Sequence, residues 1–323
     1  SLAVRASGAI LQYIQETQPS ALKLLKSIST YSQHEYMSLD AATIRNLELT
    51  ETMRRAETAG SLINVIDHTV TPMGKRLMYQ WVSKPLLDIQ LIRRRQDGLA
   101  WFIDNGMLRA ELRSALHALG DLERLTNRLI SGHAMPRDLV SIRSILQVLP
   151  EIKALFQEDV PPLELILKEL HPCTEELKLL VDAIDETPPA TLQNTGVIRP
   201  GFSEELDTLI ESTRHAREWI SNLENVERER TGIKSLKVGY NKVFGYYIEV
   251  THSNTENVPA DYIRKQTLVN AERYITPEMK EYETLVLNAE EHIHEIEAQV
   301  FRQVCTQLTA SSLRMLKTAR CLA

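Results

Sequence analysis

The last 46 positions, 278–323, contain neither glycine nor proline, and residues 202–231 contain neither as well. Only 12 Gly and 13 Pro punctuate the 323 residues, and uninterrupted tracts of this length dictate long helices. A continuous helix over the final tract would extend about 70 Å. Its apolar residues Leu285, Ala289, Ile293, Ile296, Val300, Val304 and Leu308 recur in steps of three and four, which marks one helical face. Thr276 is the expected N-cap, and Pro277 takes a first-turn position where a missing N–H costs nothing. The earlier tract is expected to start at Ser203, with Glu204 and Glu205 favouring its N-terminus, and to stop at Gly232. Its stripe is Leu206, Leu209, Ile210, Ala216, Ile220, Leu223 and Val226.

Between the two tracts the period falls to two. Ser235-Leu236-Lys237-Val238-Gly239-Tyr240 and Phe244-Gly245-Tyr246-Tyr247-Ile248-Glu249-Val250 read as strands. Tyr246, Ile248 and Val250 share one face, while Tyr247, Glu249 and Thr251 share the other. Asn241-Lys242 is a turn candidate, and residues 266–270 are a candidate third strand. One helix goes out, a small antiparallel sheet is inserted, and a longer helix comes back. The expected fold is mainly α: a helical core over 1–202, an outgoing helix over 203–232, a β tip over 233–275 and a returning helix over 276–323. Within the core, Asp88 is the expected cap of a helix over 89–104 that Gly106 ends. A loop or weak strand is expected near 36–40, and the prolines 188, 189 and 200 mark 186–201 as a connection.

Composition limits the function classes. A net charge of −6 excludes a uniformly basic nucleic-acid binder, so any such site is local. Cys173, Cys305 and Cys321 are odd in number and lack CxxC spacing, which argues for a reducing compartment without a disulfide framework or zinc site. No apolar run reaches 18 residues, so no membrane partner is expected. The chain opens Ser1-Leu2-Ala3-Val4-Arg5, without Met or a signal pattern, and stops within a helical pattern; it is read as a piece of a longer protein.

Catalytic patterns are missing. Gly74-Lys75-Arg76 lacks the upstream glycine and the Ser/Thr of a phosphate loop. His34-Glu35 has no second histidine at zinc-protease spacing. His292 and His294 fall about 200° apart on a helix and cannot share a metal. The pairs Glu204/Glu205 and Glu290/Glu291 are adjacent rather than convergent and read as solvated faces.

The tip differs from the rest. From Arg230 to Arg273 there are seven cations (Arg230, Lys234, Lys237, Lys242, Arg264, Lys265, Arg273) against four anions, giving +3 there and −9 elsewhere. Tyr240, Phe244, Tyr246, Tyr247, Tyr262 and Tyr274 also cluster there and read as the sheet's own minicore rather than as base-stacking platforms. For the cations, a solvated surface and a phosphate-binding surface both remain open. No zinc-finger, RNP or recognition-helix pattern argues for sequence readout.

The string Arg228-Glu229-Arg230-Thr231-Gly232-Ile233-Lys234-Ser235-Leu236-Lys237-Val238-Gly239-Tyr240-Asn241, followed by Gly245-Tyr246-Tyr247-Ile248, resembles the clamp region of the MutS family of DNA mismatch repair proteins. So does Arg264-Lys265-Gln266-Thr267-Leu268-Val269-Asn270-Ala271-Glu272-Arg273-Tyr274. Leu39-Asp40-Ala41-Ala42-Thr43, Thr71-Pro72-Met73-Gly74-Lys75-Arg76-Leu77 and Asp121-Leu122-Glu123-Arg124 resemble the family's core. The resemblance implies a core, two lever helices and a clamp that touches the backbone of mismatch-containing duplex DNA without reading bases. Mapped by motif, it implies contacts from Lys237, Asn241, Lys242, Arg264, Lys265 and Asn270. It also implies a homodimer partner, MutL in the same pathway, and a cytoplasmic, nucleoid-associated bacterial setting. The family's ATPase, with ATP and magnesium, is expected beyond Ala323, so neither cofactor nor enzymatic activity is expected of this piece. The family's mismatch-reading Phe-x-Glu wedge is expected before Ser1. Phe156-Gln157-Glu158 and Phe202-Ser203-Glu204 fit that string outside its context and read as chance. A structural tether whose tip binds protein is the competing reading, and a cationic, aromatic sheet is what a tether does not need.

Overall fold

A computed structural model describes residues 2–17, 19, 22, 36–156, 160–241 and 245–323, the side chains at 216, 217, 285 and 287 excepted. Lys242, Phe244, His34-Glu35 and Gln157-Glu158 lie outside the described residues, and the stripe positions Ala216 and Leu285 outside the described side chains. The first helices are α1 (Leu2–Thr17), α2 (Ala41–Asn46), α3 (Leu62–Ile66), α4 (Pro72–Ser83), α5 (Ile89–Asp104), α6 (Gly106–His117) and α7 (Leu122–Ile130). There follow α8 (Pro136–Ala154), α9 (Glu164–Glu169), α10 (Thr174–Ala183), α11 (Glu204–Thr231), α12 (Pro277–Ala310) and α13 (Ser312–Cys321). The strands are β1 (Lys237–Asn241), β2 (Gly245–Thr251), β3 (Ile263–Thr267) and β4 (Ala271–Ile275). No described helix is long and apolar enough to cross a membrane. The chain forms two compact units, Ser1–Asp182 with Val304–Ala323, and Ala183–Gln303.

In the first unit α7 packs on α8 and α13. Leu122, Leu139, Ile142, Leu146, Leu149 and Met315 are fully buried on these helices. Thr71 caps α4 by accepting the Gly74 amide at 2.9 Å. From α4, Arg76 reaches Asp121 and Glu123, at 2.6 Å each. Asp121 also caps α7 through the Arg124 amide. The Arg76 guanidinium holds the Asp121 carboxyl below its ordinary range. Tyr36 makes an antiparallel bridge to Leu86, in the segment expected as loop or weak strand. Asp88 caps α5 as expected, through the Gln90 and Leu91 amides. Gly106 does not end α5, however. Asn105 does, because its own amide and its side-chain amide both donate to the Trp101 carbonyl, and Gly106 opens α6.

In the second unit the capping residues sit where the sequence places them. Ser203 accepts the Leu206 amide. Gly232 ends α11 in the left-handed region, at φ 72°, with its amide on the Arg228 carbonyl. Thr276 accepts the Met279 amide at 3.1 Å. The two helices run antiparallel. Trp219 stacks on Tyr282 at a centroid separation of 4.0 Å, Ile220 is buried with Val286, and Leu209 lines a groove with His292 and Ile296.

The returning helix is not continuous to 323. It breaks at Ser311, where the amide bonds to the carbonyl three residues back, on Leu308, instead of four. Hydroxyl residues cluster there, and they compete with helical hydrogen bonding; Thr309 already donates its hydroxyl to the Cys305 carbonyl. Residues 183–202, expected with the core, fall in the second unit. Ile184 bridges Ile198, and the buried Glu297 of α12 accepts the amides of Gly196, Val197 and Ile198 at 3.0, 2.7 and 3.0 Å. One carboxylate thereby satisfies three consecutive donors that have no sheet partner.

The sheet has strand order β1-β2-β4-β3, all antiparallel. The expected third strand over 266–270 is displaced: β3 starts at Ile263, the chain turns at 268–270, and a fourth strand follows. The turn closes because the Leu268 amide reaches the Ala271 carbonyl at 2.8 Å. The first strand also starts later than expected, since Ile233 and Leu236 form a turn and bury their side chains. Gly245 sits at φ 85° with the Glu283 carboxylate where a Cβ would be, so both backbone and neighbour require glycine.

Replacing Glu297 by Leu keeps bulk but leaves three amides unpaired, and should cost ~3 kcal/mol. The urea midpoint should fall accordingly, with the amides of 196–198 losing protection in hydrogen exchange; an unchanged midpoint contradicts this account.

Candidate functional site

The inner face of the sheet is a core. Ile248, Val250, Tyr262, Tyr274 and Ile275 form one buried cluster with Leu223 of α11, Ile233 and Leu236 before β1, and Met279 of α12. Trp219, Val238 and Tyr246 pack against it. The minicore reading of the aromatics therefore holds for Tyr246, Tyr262 and Tyr274. Tyr240 is 55% exposed and meets Tyr246 edge-on at 5.0 Å.

The outer face carries the charge. Strand register sets Lys237, Glu249, Arg273 and Gln266 in one row across all four strands. Arg273 donates to Glu249 at 3.0 Å and to Gln266 at 3.1 Å, and its guanidinium lies 4.2 Å from the Tyr247 ring centroid. Tyr247 in turn covers Gly239, where an added Cβ would meet its ring. This face is polar and braced by its own side chains.

The residues implied by resemblance fall into two groups. Lys237 and Asn241 lie on β1, one edge strand. Arg264 and Lys265 lie on β3, the other edge, with Asn270 in the turn that follows. Three strand spacings separate the edges, about 14 Å. Lys265 is the extra residue where the register shifts between Arg264 and Gln266, and every residue of β3 is exposed. A bulge of this kind re-aims a side chain away from the ladder.

Not every cation keeps its charge available. Arg264 pairs with Glu272 at 3.3 Å, Arg230 with Glu227 and Asp261, and Arg273 with Glu249. Lys234, Lys237 and Lys265 are exposed and have no ion-pair partner among the described residues. Lys234 counts among the tip's cations but not among the contacts the resemblance implies. Lys234 carries only its charge as a signal.

Elsewhere the described residues offer little chemistry. No three His, Cys, Asp or Glu side chains among them converge as a metal site. Burial pushes the thiols of Cys173, Cys305 and Cys321 up to about 11, so they stay protonated at neutral pH.

Two phenols donate to carboxylates, Tyr262 to a residue of α11 and Tyr274 to a residue of its own strand β4. Tyr262 donates to Glu227 at 2.8 Å and Tyr274 to Glu272 at 2.5 Å. Burial, then the adjacent carboxylate, pushes the Tyr274 phenol from 10.0 up to about 12 and Tyr262 further still. A folded value above the unfolded one means stability that is complete below the unfolded value and lost as pH rises through the folded one. Thermal melting of the sheet should therefore drop as pH climbs from 10.0 to about 12, and Tyr274→Phe should remove part of that dependence. Equal alkaline profiles for both proteins exclude the linkage.

Comparison with known proteins finds a family model described as MutS domain III matching residues 42–323. The chain is 46% identical over 323 residues to the DNA mismatch repair protein MutS of Acetivibrio thermocellus, covering 100% of this chain and 37% of that protein. It is 45% identical to the protein of that name from Pelotomaculum thermopropionicum, covering 99% and 37%. For the Salinibacter ruber protein of that name the identity is 43%, covering 100% and 36%. The chain thus spans little more than a third of the length of these curated relatives.

Proposed function

The chain belongs to the MutS family of DNA mismatch repair proteins, matching its domain III, and on that premise we propose that the four-stranded sheet is a clamp for the backbone of duplex DNA. The observation that carries this reading is the set of exposed lysines, Lys237 on one edge and Lys265 on a bulge at the other, with Lys234 before β1. None of them has an ion-pair partner among the described residues, while the chain as a whole is acidic. Lysine ammonium groups suit phosphate, which asks for charge and donors but no base complementarity. Asn241, Arg264 and Asn270 extend the set, and Lys242 belongs to it by motif. Arg264 exchanges Glu272 for phosphate only by breaking an existing pair, so it contributes less than Lys265.

On the same reading the two long helices are levers. A helix pair stacked through Trp219 and Tyr282 carries rigid-body displacement along its length. The parent protein supplies the ATPase with ATP and magnesium, a homodimer partner whose clamp closes over the same duplex, and engagement with MutL. This piece contributes DNA contact and its mechanical coupling, not turnover.

The purified chain should bind homoduplex and mismatched duplex equally and weakly, with affinity falling steeply between about 50 and about 200 mM salt. Changing Lys237 and Lys265 to Glu should abolish binding in a fluorescence anisotropy titration while leaving thermal melting unchanged, since both side chains are exposed. Salt-independent binding, or binding that survives both substitutions, would falsify the clamp reading.

A further inference from the structure

One carboxylate of the first unit is buried without a hydrogen bond. Glu176, in the first turn of α10, is 2% exposed, and among the described residues neither of its side-chain oxygens has a hydrogen-bond partner. A cation stands beside it. Arg314 of α13 holds its Nη1 at 3.6 Å from Glu176 Oε1, beyond hydrogen-bond range. The same nitrogen donates instead to the neighbouring Glu175, at 3.1 Å, whose side chain is 77% exposed. A buried carboxylate has lost its hydration and gains most from a charge-assisted bond, whereas an exposed one is already solvated. The guanidinium is thus bonded to the partner that needs it less. The positive end of α10 favours both carboxylates and does not decide between them. The Glu176 charge first, and the Glu175 hydrogen bond second, hold the Arg314 guanidinium above its ordinary range, so both carboxylates already act on it.

The helix that carries Arg314 is fastened at one point and jointed at another. One turn further along the same face of α13, the fully buried Thr318 donates its hydroxyl to the His171 carbonyl and accepts the His171 amide, at 3.2 Å each. On the other side of Arg314 lies Ser311, where the hydrogen bonding of α12 breaks. Arg314 therefore sits between a fixed point and a joint. A tilt of α13 about Thr318 brings Nη1 into bonding range of Glu176 with a displacement of less than about 1 Å. Helix shifts of about 1–2 Å separate alternative packed states, so this movement is a small one.

We propose that Arg314 is a two-position latch at the foot of the returning helix: exposed Glu175 holds it in this structure, and buried Glu176 takes it when α12 is displaced. The latch follows from the two carboxylates and the joint. Its trigger rests on the lever reading above, in which DNA contact displaces α12. Residues 304–310 of α12 belong to the same compact unit as α13, so the end of the long helix and the latch share one packed environment. A packed interface moves between discrete arrangements rather than deforming smoothly. A sub-ångström push on α12 thereby becomes an exchange of ion-pair partner.

The test follows the backbone amides of residues 312–316 by NMR in the full chain. Glu175→Gln removes the competing carboxylate and should carry Arg314 to Glu176. Glu176→Gln, of equal size, should leave it on Glu175. The unaltered chain's resonances should lie between those of the two variants, on one line and nearer to Glu176→Gln. Saturating homoduplex should move them along that line toward Glu175→Gln. Amides that the two variants leave unmoved, or move off a common line, overturn the latch. Glu176→Leu should raise the urea midpoint, because it removes a buried charge that makes no hydrogen bond, and Glu176→Gln, which keeps the volume, should leave the midpoint no lower. A fall in both shows a carboxylate that is already well paired, and it overturns the latch as well. Duplex that binds without moving the amides overturns the trigger. If the chain binds no duplex, the clamp reading fails, and the comparison of Glu175→Gln with Glu176→Gln still decides the latch.

Discussion

The sheet keeps its orientation through the apolar cluster beneath it. A four-stranded sheet of strands five to seven residues long has too little area to be stable alone. Here Ile248, Val250 and Tyr274 close over Leu223 from the end of α11 and Met279 from the start of α12. The same side chains that stabilise the sheet fix the two helix ends beside each other. The outer face and both edges are then left for polar residues, and their spacing follows from the ladder rather than from any side-chain contact. The Gly245–Glu283 approach works in the same direction, since it seats the start of β2 directly against α12.

Much of this could be read in the amino acids because it is local. Ser203, Gly232, Thr276 and Pro277 act within one turn of helix, and their chemistry is the same wherever the helix points. What escaped depends on partners far away in sequence. The bulge at Lys265 exists only against β4, and the hydrogen bond from His252 to the Leu268 carbonyl only against the turn at 268–270. The break at Ser311 lies in a tract without glycine or proline, where hydroxyl side chains rather than backbone breakers divert the hydrogen bonding. The prolines before α11 mark a connection, and a buried carboxylate about 100 residues away organises it.

The charged residues of the tip are legible in the sequence as a group, and their pairing is not. Counting cations gives the sign of the tip correctly, but Arg230 and Arg273 are committed to carboxylates, and Arg264 shares Glu272. An arginine's planar fork favours such fixed pairs, while a lysine's ammonium at the end of a flexible stem stays solvated. The division of labour is therefore by residue type: arginines brace the sheet and lysines present charge. Family membership supplies the context for proposing that exposed lysines on a small sheet grip polyanion.

Strand β3 carries one more consequence. It is exposed along its whole length and leaves a row of backbone donors and acceptors without a neighbour, the kind of template on which a second chain adds a strand and oligomers grow. The bulge at Lys265 and the positive charges of Arg264 and Lys265 spoil that template by twisting it and by repelling an identical copy. The residues proposed to hold nucleic acid thus also guard this edge against pairing with a copy of itself.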